Sequence, residues 1–127
     1  MDMRTRLGLL VAAGLVAAVP ASAQGLPAGV TQAMVDKGKA IFTGDGNCYA
    51  CHGQSGEGLL GPNTKLVDHT WLHSDGSYPA IVAYIKKGVT KEESKSGIPM
   101  PPRGGSTITD DQVNMVAAYV YSISHKK

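Results

Sequence analysis

The segment Cys48-Tyr49-Ala50-Cys51-His52 constrains this chain more than any other. It holds both cysteines of the 127-residue sequence and follows each rule of the C-x-x-C-H spacing. On one helical turn, positions i, i+3 and i+4 share a face. Two thiols on that face can form thioethers with the two vinyl groups of one porphyrin. The imidazole beside them then points at the metal as proximal ligand. C-x-x-C-H is the attachment sequence for covalent haem, so one haem c per chain is expected on Cys48 and Cys51, with His52 on the iron. Three other chemistries use such residues. A thioredoxin-like dithiol sits on a βαβ pattern, which this sequence lacks. A zinc site needs further close ligands, for which His69 and His73 stand at i and i+4 on a possible short helix. A plain disulfide is the third alternative.

The N-terminus indicates where such a site would work. Arg4 and Arg6 precede an apolar run from Leu7 to Val19, too short to span a bilayer well. Pro20 breaks the run, and Ala21-Ser22-Ala23 supplies small residues for cleavage before Gln24. Residues 1–23 are therefore expected to be a cleaved signal peptide. Residues 24–127 are expected to form one exported domain in the periplasm, without stable membrane insertion after cleavage. Charge is mild, with 12 Lys+Arg against 10 Asp+Glu. Arg103 is the sole arginine past the leader. Neither feature suits nucleic acid, which calls for a basic footprint and arginine forks.

Three stretches read as helices. Thr31 to Thr43 carries Met34, Gly38, Ile41 and Phe42 on one face. Pro79 to Lys87 follows Ser77 or Tyr78 as cap, carries Ile81, Tyr84 and Ile85, and closes at Gly88. Thr109 to Ser124 opens with a capping box of Thr109 and Gln112 and buries Val113, Val116, Ala117 and Val120. No segment alternates as a strand, so the fold class is all-α. Residues 44–68 and 89–108 are long connections without regular pattern, uncommon in a small domain and usually functional.

The second of these connections contains Gly97-Ile98-Pro99-Met100-Pro101-Pro102. Prolines on both sides restrict the backbone and lower the entropy of the free loop. A stiff loop with one thioether suits axial ligation, so Met100 is the expected sixth ligand. Met34 and Met115 lie on helical faces and read as core. His69, His73 and His125 read as surface residues. Trp71 has two readings: its indole N–H on a haem propionate, or packing at the core. Arg103 reads as an exposed arginine, and Lys86, Lys87, Lys91 and Lys95, interrupted by Glu92 and Glu93, as a solvated helix end and loop.

These features, in this order, resemble the class I c-type cytochromes of bacteria over nearly the whole exported chain. The resemblance implies the small cytochrome c fold, with three main helices and long loops wrapped around one covalently bound haem. It implies that Gly38 and Phe42 cross Val116 and Tyr119. It also implies that Gly61-Pro62 is the family's Gly-Pro and that the Pro62 carbonyl accepts the hydrogen bond from His52. The family often has Leu after G-P-N, where this chain has Thr64.

A His/Met set leaves no open iron position, so the protein is expected to carry electrons and not to be an enzyme. The expectation is a monomeric periplasmic carrier between a dehydrogenase or quinol-oxidising complex and a terminal oxidase or reductase, docking transiently on redox partners. A dedicated subunit of a larger oxidoreductase is the alternative. A haem enzyme or gas-binding protein would need a displaceable Met100.

Seven aromatics against 16 Gly and seven Pro make a thin core, and a chain this small needs a supplement. A covalently fastened apolar macrocycle would supply it. The haem-free chain is therefore expected to lack a stable native fold. Calorimetry checks this; a cooperative unfolding transition without haem would contradict it.

Overall fold

The computed structural model describes residues 14–15 and 25–126. The expected signal peptide lies outside the described residues apart from Gly14 and Leu15. Four α-helices follow one another: α1 (Gln32–Phe42), α2 (Tyr49–His52), α3 (Tyr78–Lys87) and α4 (Asp110–Ser124). Short 3-10 turns occur at Pro62–Thr64 and Pro102–Gly105. The three long helices stand where the apolar periodicity put them, and α2 is the single turn of the C-x-x-C-H segment. Among the described residues there is no strand, only an isolated bridge between Val89 and Met100. No described helix is long and apolar enough to cross a membrane.

Each long helix starts on a side-chain cap that satisfies an otherwise orphaned N–H. The Thr31 hydroxyl accepts from Met34 N at 3.2 Å. Ser77, the true cap of α3, accepts from Ala80 N at 3.4 Å, so α3 begins at Tyr78 with Pro79 in its first turn. Thr109 and Gln112 form the full capping box of α4.

The core lies where α1, α3 and α4 meet. Phe42, Ile81, Ile85, Val113, Val116, Ala117, Val120 and Ile123 are buried there. The α1–α4 crossing is closest at Gly38, where a Cβ would lie only 1.9 Å from the Met115 carbonyl oxygen and 3.1 Å from the Tyr119 Cβ. The atoms nearest Gly38 thus belong to Met115 and Tyr119, and Val116, expected at this crossing, follows Met115 directly. Val116 is one residue round the helix and turns into the core. Four residues on from Gly38, the Phe42 ring meets Tyr119 edge to face, with centroids 5.2 Å apart. Tyr78 donates its hydroxyl to Asn114 O at 3.1 Å and ties α3 to α4.

The connection 89–108 is more ordered than its sequence suggests. Val89 N donates to Met100 O at 2.8 Å, and Met100 N to Val89 O at 2.9 Å. A Cβ on Gly88 would lie 2.3 Å from Met100 O. With φ +66, Gly88 also turns the chain out of α3 in a left-handed conformation. The glycine that ends α3 therefore also admits the backbone of the Met100 loop.

Gly38→Ala should destabilise the haem-loaded protein by about 1–3 kcal/mol, because the overpacking outweighs the gain of about 1 kcal/mol in helix propensity. Denaturant titration measures it. An unchanged midpoint would mean that α1 and α4 do not touch at Gly38.

Candidate cofactor site

The turn that carries the motif is shaped by its flanks. Asn47, at φ 52, sits in the left-handed region just before Cys48. Gly46 passes close to the end of α1, its N–H bonded to Ile41 O at 2.8 Å. Within the turn, His52 N donates to Cys48 O at 3.0 Å, and Gly53 N caps Tyr49 O at 2.9 Å. The loop then folds back over it: Gly58 N donates to His52 O at 2.7 Å, and Leu60 N to Cys51 O at 3.2 Å. Carbonyls that a one-turn helix leaves open are thereby satisfied.

Both cysteines are free thiols, Cys48 half-buried and Cys51 exposed. The Cys48 thiol points to Gly46 O at 3.5 Å. Burial pushes it up to about 11, against the opposing effect of its backbone hydrogen bond. At neutral pH it is uncharged, as suits a thiol in an apolar wall.

His52 Nδ1 lies 2.7 Å from the Thr64 carbonyl oxygen. A carbonyl can only accept, so Nδ1 carries the proton and Nε2 keeps its lone pair. Burial lowers the pKa of His52, and the bond to Thr64 opposes that shift. The imidazole is therefore neutral and oriented, which is the form that ligates metals. The acceptor is Thr64 and not Pro62. The Pro62 carbonyl is taken by Lys65 N at 3.3 Å within the 3-10 turn, which brings the Thr64 carbonyl to the ring instead. Thr64 is buried, and its hydroxyl donates to Gly61 O at 2.8 Å.

Cys48, Cys51 and His52 line a cavity of about 1270 Å³, open mouth included. Met100 lines it too, brought by the bridge to Val89. Phe42 closes it from α1, Ile81 and Ile85 from α3, and Val116 and Val120 from α4. Leu66, Trp71 and Ile98 supply loop walls. Trp71 is half-buried against the core, its Nε1 edge over Gly76, where a Cβ would lie 2.2 Å away.

Two expectations need correction. His69 and His73 share no helix and do not converge. His69 meets His125, with ring centroids 5.6 Å apart, and His73 stacks on Tyr84. Among the described residues no group of three or more His, Cys, Asp or Glu could hold a metal ion, so the zinc alternative has no ligand set there. Arg103 is half-buried rather than a free surface cation. It donates to Ile108 O at 2.8 Å and pairs with Asp110 at 2.5 Å. Lys86 binds the same carboxylate at 2.9 Å, and these two partners hold the Asp110 carboxyl below its usual range. This link between α3, α4 and the Met100 loop has no local signature in the sequence, because its members lie far apart in the chain.

The donor set fits a covalently held haem. Two thiols stand on one turn beside a neutral imidazole with a free lone pair, in an apolar cavity that Met100 also lines.

Comparison with known proteins gives a consistent picture. The family model described as cytochrome C oxidase, cbb3-type, subunit III matches residues 33–120. The cbb3-type cytochrome c oxidase subunit CcoP of Azospirillum brasilense is 34% identical over 85 residues, 63% of this chain and 28% of that protein. The chain thus spans little more than a quarter of that relative. Cytochrome c6 of Chlorolobion braunii is 34% identical over 86 residues, which cover 66% of this chain and 84% of that protein. Among solved structures, cytochrome CL from Methylophaga aminisulfidivorans superposes with a TM-score of 0.56 at 23% identity, over 73% of this chain and 55% of that one. At that identity the likeness speaks for the fold alone.

Thr64→Val should cost about 1 kcal/mol, since it removes one neutral hydrogen bond under the His52-orienting carbonyl. Haem should remain attached. Denaturant melting with a haem stain measures both, and a variant as stable as the parent would remove Thr64 from the support of His52.

Proposed function

Since the chain belongs to the c-type cytochrome family whose model is described as cytochrome C oxidase, cbb3-type, subunit III, we propose that it is a one-electron carrier built around a single covalently attached haem. The observation that carries this reading is the convergence of Cys48, Cys51, His52 and Met100 on one apolar cavity. Cys48 and Cys51 would hold the group by thioethers, so a small exported domain does not lose it. His52 would ligate through Nε2, with Thr64 O keeping its ring in place. Met100 would be the sixth ligand, its loop clasped to Val89 and its backbone stiffened by Pro99 and Pro101. Bound there, the haem supplies one-electron cycling between Fe(III) and Fe(II). Trp71, on the cavity wall, is the residue proposed to reach a propionate.

This chain's residues act by binding and by exclusion. The walls from Phe42, Ile81, Ile85, Val116 and Val120 would keep water from a metal held there, and low polarity together with the Met100 thioether would raise its reduction potential. His52 and Met100 together would hold the metal and would leave no position for a substrate. Residues 24–127 would work as one domain in the periplasm after removal of residues 1–23. They would dock transiently on a dehydrogenase or quinol-oxidising complex on one side and a terminal oxidase or reductase on the other.

A second reading has its own observation. The similarity to CcoP, an oxidase subunit, favours a stable place in a larger oxidoreductase. Purification from native membranes and soluble extract separates the two: a free haem protein of about one chain's mass supports the carrier, a fixed complex the subunit.

In the oxidised native protein, the weak near-infrared sulfur-to-iron band should be present. Met100→Ala should abolish it and lower the reduction potential. A band that survives the substitution would show that another methionine is the ligand.

A further inference from the structure

We propose that His73 is a second, alternative ligand for the metal of this site, held in reserve by the same loop that carries Met100. This inference rests on the reading that His52 and Met100 are the axial ligands.

His73 lines the same cavity as Met100, between Leu72 and Ser74 on the connection from Trp71 to α3. It is half-buried, and its ring stacks on Tyr84 of α3, with centroids 5.6 Å apart and planes 17° from parallel. Its Nε2 accepts a hydrogen bond from the backbone N–H of Lys95 at 3.2 Å. That bond decides the tautomer: Nε2 holds the lone pair and Nδ1 the proton. The lone pair capped by Lys95 is the one that would bind a metal.

Lys95 belongs to the Met100 loop. Between them the chain is turned by Ser94, whose hydroxyl donates to Ile98 O at 2.7 Å, and by Gly97 N, which donates to Ser94 O at 3.1 Å. Residues 94–98 therefore form one tight turn, joined to Met100 by Pro99. When this segment lifts off the cavity, two things happen together. Met100 leaves, and the lone pair of His73 loses its cap. Tyr84, on α3, keeps the ring at the cavity wall meanwhile. The two ligands are thus mutually exclusive by construction. A thioether favours the reduced metal, and a second imidazole favours it less, so the exchange would turn a high-potential carrier into a low-potential one.

No other described side chain competes as well. His69 and His125 face each other and do not line the cavity. Lys65 does line it, but Lys65 is exposed, whereas His73 is half-buried at the wall.

The test uses the haem-loaded protein at neutral pH. Oxidised Met100→Ala should be low-spin without the near-infrared band, because His73 has taken the vacant position. Met100→Ala/His73→Gln should be high-spin, since Gln can still accept from Lys95 N but does not ligate. Added imidazole should bind the double variant about tenfold more tightly or better, as expected where an internal ligand occupies nine-tenths of the single variant. If Met100→Ala is already high-spin and binds imidazole like the double variant, the proposal is overturned. Should Met100→Ala fail to fold, the unsubstituted protein and His73→Gln are compared in mild denaturant. The former should pass through a low-spin form without the band and the latter through a high-spin one; identical spectra would overturn the proposal. A native spectrum that lacks the sulfur-to-iron band would sink the His52/Met100 reading, while the spin states of the two Met100 variants would still decide for or against His73.

Discussion

The contact of Gly38 with the backbone of Met115 sets the rest of this structure. Without a side chain at residue 38, α1 approaches α4 until one helix backbone touches the other. The crossing brings Phe42 edge to face onto Tyr119 and places Phe42, Val116 and Val120 on one side of a shared cavity. α3 joins through Ile81, Ile85 and the bond from Tyr78 to Asn114 O. The three helices therefore pack a core at their junction and leave an apolar hollow beside it. A chain with so few large side chains cannot close that hollow by itself, and a covalent macrocycle can.

Two loops meet across the frame, and each is held by backbone rather than by side-chain bulk. On the α2 side, the Thr64 carbonyl orients His52 and keeps its proton on Nδ1. On the other, Val89 and Met100 exchange two hydrogen bonds, and Gly88 admits the strand-like pair. Arg103 and Lys86 add a shared ion pair on Asp110. That carboxylate is exposed, and exposed pairs contribute little. The backbone clasp, with the turn at residues 94–98, is the stronger restraint. It also links Lys95 to His73 and so couples the state of one candidate ligand to that of another.

Much of this was legible in the chain itself. The C-x-x-C-H spacing singled out Cys48, Cys51 and His52 as one group, because helical geometry alone places i, i+3 and i+4 together, and all three line one cavity. The capping box at Thr109 and the apolar periodicities located the three helices to within a residue or so, since caps and stripes are local signals. Met100 stood out through its prolines, which stiffen a loop whatever that loop packs against.

The rest required the folded chain. The acceptor for His52 is a backbone carbonyl, which carries no residue signature. The Gly-Pro pair pointed to the right loop but to a carbonyl two residues early, because the 3-10 turn uses Pro62 O for its own hydrogen bond. The backbone nearest Gly38 is that of Met115, beside the expected Val116, since close approach is decided by backbone position and not by which residue is apolar. His69 and His73 looked like a pair at helical spacing, yet no helix forms there, and each ring found a different neighbour. The ion-pair link through Asp110 joins residues 86, 103 and 110, and the cap on His73 joins residues 73 and 95. The sequence by itself thus determined the cofactor chemistry and the local elements, which depend on spacing over a few residues. Only the tertiary structure decided which carbonyl, which backbone and which distant N–H meet the site, because those contacts exist only once the helices have packed.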